Sequence, residues 1–279
     1  MIDRLLLYKL RCIKCGFEGK LSVTDENKGK DINGFLECPK CGKKYEIREG
    51  IPIIIPSYGM LQDERVQVFD KFSERYDSWF SSERGKILFE NELRAINSVL
   101  ERIKYVESLE IGVGTGAFAK KLGIRFGVDP AWHALLLAKK RGIIVVQGVA
   151  EKLPFSSNQF DIVFIIVTIC YVRSPLLVLE ETKRVLKSGG YLVIGFIDRN
   201  SCWGKYYLEK KRRGHLFYSP ANFYTFNEVK SMLSKIGFKI IRVASTITQK
   251  PSEKTIELEE PKTTLDPSAS FIVVLGKSE

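Results

Sequence analysis

The chain has 279 residues, 44% of them hydrophobic and 28% charged, and a formal net charge of +11. That composition suits one sizeable α/β domain with a small appendage and excludes a disordered or fibrous chain. The longest apolar run, residues 162–172, is too short to cross a bilayer, and the opening MIDRLLLYKLRC lacks the apolar core and cleavage site of a secretory signal. A cytoplasmic protein without a membrane partner is expected. The basic excess admits RNA as a partner, although Lys- and Glu-rich chains also mark proteins from hot environments.

Residues 1–56 read as a unit of their own. Cys12 and Cys15, then Cys38 and Cys41, form two CxxC knuckles, each followed by a glycine that eases the tight turn. Four thiolates at this spacing complete a tetrahedral metal site, and the absence of a secretory signal favours a metal over disulfides. Zinc is the leading ion; iron stays open, because the Cys-Pro-x-Cys-Gly form also occurs in rubredoxins. So short a segment lacks a core, and the metal should supply much of its folding free energy. The run from Phe35 to Pro56, which contains Tyr45, Ile47, Gly50, Ile51 and Pro52 as Tyr-x-Ile-x-x-Gly-Ile-Pro, resembles the small zinc-ribbon activator subunit of tRNA and rRNA methyltransferases. The resemblance implies a ribbon that packs on or assists a fused methyltransferase domain, or that contacts RNA.

Pro56, Ser57, Tyr58 and Gly59 read as a linker into residues 57–105, where two helices are expected. The first, over 66–80, sets Phe69, Phe72, Tyr76 and Phe80 three and four apart on one face. The second covers 84–102.

From residue 106 strands and helices alternate, the pattern of a parallel sheet covered on both faces. The first strand runs into Gly112, Gly114 and Gly116, where the backbone can approach a ligand and the next helix offers free N–H groups. Glu110 precedes them. The GxGxG spacing, unlike the dinucleotide GxGxxG, resembles motif I of class I S-adenosylmethionine-dependent methyltransferases. The second strand, 124–128, ends at Asp129 and Pro130, and an acid roughly 20 residues past such a loop is placed to accept from ribose hydroxyls. Helix 131–141 carries His133 as a surface or capping residue, and strand 143–147 follows.

The segment from Gly148 to Phe155, read as Gly-x-Ala-Glu-x-Leu-Pro-Phe and followed by Phe160 and Asp161, resembles the stretch that brackets adenine in type-11 methyltransferase domains. The resemblance implies that the Ala150 N–H meets adenine and that Glu151 and Val167 lie along the cofactor; the run from Phe69 to Trp79 resembles the segment preceding motif I in many small methyltransferases, which implies that Tyr76 reaches the methionine carboxylate. Val149 replaces an acid usual in the family, which weakens one contact. The fourth strand, 161–168, leads to Cys170 and Tyr171, which would face a transferred methyl, although Cys170 reads first as a buried small hydrophobe. Ser174 and Pro175 open a helix to residue 186, and the Gly189-Gly190 turn and fifth strand again match the type-11 family. The implied fold is a Rossmann-like, seven-stranded, mostly parallel α/β sheet with helices on both faces.

Residues 199–225 read as a lid carrying Trp203, Tyr206, Tyr207, the basic run Lys210 to Arg213, His215, Phe217 and Tyr218. Aromatics interleaved with cations suit a planar substrate or phosphates. His215, Tyr218 and Tyr206 are candidates for a general base, should one be needed. Tyr206 and Lys210 also spell the YxxxK of short-chain dehydrogenases, but the glycine spacing argues against NAD. A helix over 226–236, strands over 239–247 and 270–276, and a surface loop over 248–269 complete the chain. The expected protein is an S-adenosylmethionine-dependent methyltransferase with residues 106–279 as its core, acting on an RNA base or a small molecule. The alternative is a non-catalytic RNA- or protein-binding module.

Overall fold

The computed structural model describes residues 3–25 and 34–278; residues 1–2 and 26–33 of the expected ribbon lie outside them. Asp3 caps a short helix, α1 (Arg4–Leu7), by accepting the Leu5 N–H at 2.7 Å. Strands β1 (Ser22–Asp25), β2 (Gly34–Glu37), β3 (Lys44–Arg48) and β4 (Ile51–Pro52) form an antiparallel sheet in that order. Each cysteine knuckle folds back on itself, the Gly16 N–H donating to Cys12 and the Gly42 N–H to Cys38, both at 2.9 Å.

This ribbon is not a knob on a tether. Leu10, Leu21, Leu36 and Ile47 are fully buried in the same apolar cluster as Leu109, Phe126 and Phe160 of the larger sheet. Ile53 pairs in parallel with Gln147, and the Ile54 N–H donates to the Gln147 carbonyl at 2.8 Å. Arg11 ties the other side, bridging Glu181 at 2.8 Å and donating to the Leu153 carbonyl at 3.1 Å. A segment too small to enclose its own core shares that of its neighbour.

Where a plain linker was expected, Ser57 caps a 3-10 turn, Tyr58–Gln62. The single helix expected over 66–80 is two, α2 (Glu64–Lys71) and α3 (Ser73–Trp79), because Phe72 leaves the helical region at φ −117° and ψ 27°. Different partners hold the two halves. Asp70 accepts the His133 N–H at 2.8 Å, while Asp77 accepts both Arg141 terminal nitrogens at 2.8 Å and the Thr115 hydroxyl at 2.6 Å. Helix α4 (Glu83–Leu100) follows, capped by Ser82.

The remaining elements are β5 (Ser108–Ile111), α5 (Ala117–Leu122), β6 (Phe126–Asp129), α6 (Trp132–Lys140), β7 (Ile144–Gln147), β8 (Phe160–Ile166), α7 (Pro175–Val185), β9 (Leu186–Ile197), α8 (Cys202–Arg212), α9 (Phe226–Ile236), β10 (Phe238–Thr246) and β11 (Phe271–Ser278). They build the expected seven-stranded sheet in the order β10-β11-β9-β8-β5-β6-β7. The strands are parallel from β9 to β7, and β11 is antiparallel to both of its neighbours. Strand order reverses at β5, which opens a crevice at the carboxyl ends of β5 and β8.

Two expectations change. Strand β8 stops at Ile166, short of residue 168, because Val167 adopts φ 52° and turns the Thr168 hydroxyl onto the Gly112 carbonyl at 3.3 Å. The expected surface loop 248–269 is pinned to α4: Asn91 donates to the Glu257 carbonyl at 3.0 Å and accepts the Glu259 N–H at 2.8 Å, and Ile256 is buried. No described helix is long and apolar enough to cross a membrane.

Candidate active site

The ends of β5, β6 and β8, roofed by α2 and α3, enclose a cavity with about 1060 Å³ of empty volume counted out to open solvent. On one wall Gly114, at φ 50°, has no atom within 4 Å of where a Cβ would stand, so bare backbone faces the cavity. Gly112 lines it too, and a Cβ there would come within 2.2 Å of Thr168 Cγ2. Gly116, the third glycine expected at the cofactor, stands outside the cavity lining. A Cβ there would meet Ala138 at 3.0 Å, and its φ of 78° starts α5 close against α6.

Two buried acids flank the loop. Glu110 is 2% exposed and lines the cavity, and its Oε2 has no hydrogen-bond partner among the described residues. Burial, then the charge of Asp129, pushes the Glu110 carboxyl well above the usual range. Asp129 accepts the Gly114 N–H at 2.9 Å through Oδ2 and the Ala131 N–H at 2.8 Å through Oδ1. Burial pushes its carboxyl up to about 6, against the pull of those N–H groups. Among the described residues neither acid pairs with a cation, so the wall suits a ligand that brings an ammonium and hydroxyl donors. The amino group and ribose of S-adenosylmethionine fit that donor set.

The other expected cofactor residues, Pro130, Ala150, Glu151, Val167 and Tyr76, all line the same cavity, with Val149 as an apolar neighbour. The Glu151 carboxylate is already engaged by the Arg173 N–H at 2.7 Å. Tyr76 enters from α3, edge-on to Phe69 at 5.2 Å and to Phe80 at 5.5 Å. Burial, then the charge of Glu92, raises its hydroxyl, which stays a neutral donor. Sequence reasoning missed the rim, where Asp63 accepts Arg65 at 2.8 Å and Arg173 at 2.7 Å. No spacing pattern marks these three. It also missed Glu92, a buried acid inside α4.

Tyr171 lines the cavity; Cys170 does not, and burial pushes its thiol up to about 12. The three candidate bases also stand outside the lining. Tyr206 is partly exposed beneath the Lys210 ammonium, 4.9 Å from its ring centre. His215 stacks on Tyr218 at 4.6 Å, and Tyr218 stacks on Tyr207 at 4.3 Å. Burial lowers the His215 imidazole and pushes the Tyr218 hydroxyl up to about 12.

Outside the cavity lining, the sulfurs of Cys12, Cys15, Cys38 and Cys41 lie within 4.8 Å of one another. Cys12 and Cys41 are 3.6 Å apart, Cys15 and Cys38 3.7 Å. A disulfide needs about 2.05 Å, whereas four sulfurs about 2.3 Å from one ion stand about 3.8 Å apart. The quartet therefore has the dimensions of a tetrahedral metal site.

Comparison with known proteins agrees with this geometry. Residues 109–194 match the family described as a methyltransferase domain. An uncharacterized protein of Methanocaldococcus jannaschii is 43% identical over 182 residues, 65% of this chain and 86% of its own. A chain from the complex of the Haloferax volcanii Trm112 methyltransferase activator with its methyltransferase shares the fold at 16% identity and a TM-score of 0.54, over 75% of this chain and 97% of its own. The crystal structure of an S-adenosylmethionine-dependent methyltransferase of Thermotoga maritima is 34% identical with a TM-score of 0.71, over 77% of this chain and 100% of its own. A relative matched over its whole length at that identity, with the glycine loop and paired acids in place, makes the chain a member of the class I S-adenosylmethionine-dependent methyltransferases.

Proposed function

We propose that S-adenosylmethionine lies with its methionine end against Glu110, Gly112, Gly114 and Tyr76, its ribose on Asp129 and its adenine between Pro130, Ala150 and Glu151, and that the acceptor is a small molecule entering beside Tyr171. The orphaned Glu110 Oε2 carries this reading, because a buried carboxylate oxygen with no donor calls for a ligand ammonium. When bound, the cofactor supplies a methyl group already activated on a sulfonium. The chain's residues need only align the acceptor and exclude water. Phe69, Tyr76 and Tyr171 form the apolar wall that does so, and Asp129 presents lone pairs fixed by two N–H groups.

The four cysteines hold a structural zinc ion on this reading, with iron as the second choice. The ribbon acts as an activator built into the same chain, bracing the β7 edge through Ile53 and Ile54. Reduced thiols suit the cytoplasm. An RNA acceptor has one observation in its favour, the basic end of α8, where Arg212 and Arg213 are 75% and 77% exposed, although both pair with Glu209.

Calorimetric titration with S-adenosylhomocysteine tests the cofactor site. One-site binding is expected, weakened about tenfold in Glu110→Gln as one charge-assisted hydrogen bond is lost. Folded protein without affinity for this product or for S-adenosylmethionine would overturn the assignment. Transfer of labelled methyl into RNA, with none into small molecules, would move the acceptor to RNA.

A further inference from the structure

We infer that the acceptor is a small carboxylic acid, its carboxylate received at the cavity rim by the guanidiniums of Arg173 and Arg65. The inference rests on the cofactor reading above and names the substrate class of the same site.

Asp63, Arg65 and Arg173 all line the cavity, the first two at the start of α2 and Arg173 two residues beyond Tyr171. Arg65 grips both Asp63 oxygens, Nε on Oδ1 and Nη2 on Oδ2, each at 2.8 Å. Arg173 reaches the same carboxylate from the other side of the rim, its Nε and Nη2 both 2.7 Å from Oδ2. One oxygen thus takes N–H groups from two cations. Left over are Arg173 Nη1, which has no hydrogen bond among the described residues, and Arg65 Nη1, whose contact with the Val172 carbonyl is long at 3.5 Å.

Two guanidiniums therefore share a single carboxylate. Glu151, the other acid at this rim, makes no ion pair among the described residues. Its Oε1 accepts the Arg173 and Ser174 N–H groups at 2.7 and 3.4 Å, at the N-terminus of α7, where the helix dipole favours its charge. The surplus of one positive charge calls for a monoanion, and a guanidinium fork fits a planar carboxylate. An ammonium would meet like charge here, a neutral alcohol would leave the surplus uncompensated, and a phosphate dianion would exceed it.

Beside the guanidiniums the wall is apolar. Val66, Phe69, Tyr171 and Val172 line it, with Phe69 edge-on to Tyr171 at 4.8 Å, so an acid with an aromatic body fits. The cofactor's own carboxylate does not claim this rim, because the reading above sets it at the Glu110 and Gly112 end, whereas Arg173 joins Glu151 at the adenine end. A guanidinium stays protonated. Arg65 and Arg173 therefore select and orient the acceptor and move no proton.

The test loads the protein with S-adenosylhomocysteine and titrates it with benzoate, benzyl alcohol, benzylamine and phenyl phosphate by calorimetry. Benzoate is expected to bind about tenfold more tightly than the alcohol, the difference made by one charge-assisted pair, and more tightly than the amine or the phosphate. Arg173 is 44% exposed, and its replacement leaves the core intact. Arg173→Gln should erase the preference and Arg173→Lys restore part of it, with S-adenosylhomocysteine affinity held. Asp63→Asn keeps the α2 cap, since Asn serves there as well as Asp, and frees both guanidiniums, so benzoate should bind more tightly still. Weaker benzoate binding in Asp63→Asn would mean that the ion pairs only brace the rim, and would overturn the assignment. Benzoate no tighter than the alcohol, or a preference that survives Arg173→Gln or turns to phenyl phosphate, overturns it too while S-adenosylhomocysteine binding stands. Absence of S-adenosylhomocysteine binding overturns the cofactor reading and this assignment with it.

Discussion

At Asp129, two N–H groups orient a carboxylate that burial has pushed up to about 6. Between the usual carboxylate range and that value, the folded chain keeps a proton that the unfolded chain has lost. Stability from this group is therefore present in acid and lost as pH rises towards 6. Cofactor binding runs the other way, because ribose hydroxyls donate to the ionised form. S-adenosylhomocysteine affinity, titrated between pH 5 and 8, is expected to fall about tenfold per pH unit below 6. Asp129→Asn should flatten that slope and weaken binding at pH 8. Glu92, pushed up to about 8, offers a stability readout. Its contribution is lost as pH rises from the usual Glu range to 8, at about 1.4 kcal/mol per pH unit. Glu92→Gln should be flat across that window and melt above the parent at pH 9; a parallel pair of melting curves would contradict it. Asp129 was legible from its distance past the glycines. Glu92 was not, because an acid inside an amphipathic helix looks like any solvated one.

Neighbouring residues of α3 do different work. Tyr76 faces the cavity, while Asp77 turns to the Thr115 hydroxyl at 2.6 Å and to Arg141 at 2.8 Å, fastening the helix to the glycine loop. Asp77→Ala takes the carboxylate from a half-buried guanidinium and leaves it only the Thr115 carbonyl, with an expected cost of about 1–3 kcal/mol in urea unfolding. Cofactor affinity should fall as well, because Tyr76 loses its anchor; unchanged affinity would show that α3 does not set the site. The apolar spacing from Phe69 to Phe80 runs straight through Phe72, so it predicted one helix. Only the partners on α6 and the glycine loop, which hold Asp70 and Asp77 apart, decide for two.

Across the whole molecule, ribbon and sheet share one buried cluster that runs from Leu10 and Leu36 to Phe126 and Phe160. Metal removal should therefore weaken the entire protein. A strong chelator, or Cys38→Ala, is expected to move a single calorimetric transition to lower temperature. A separate early ribbon transition with an unmoved main one would contradict the shared core.

The glycine loop, Asp129, the paired knuckles and the alternation of strands and helices were all determined by the sequence itself. Each depends on a local constraint: a turn that tolerates no Cβ, two sulfurs on one knuckle, or an apolar period. The tertiary structure alone decided that Gly116 packs against α6, that the ribbon shares a buried cluster with the larger sheet and bridges β7 at Gln147, and that Glu92 is buried within α4. Such features arise from contacts between residues distant in the chain, and packing at that range leaves no period or spacing to read.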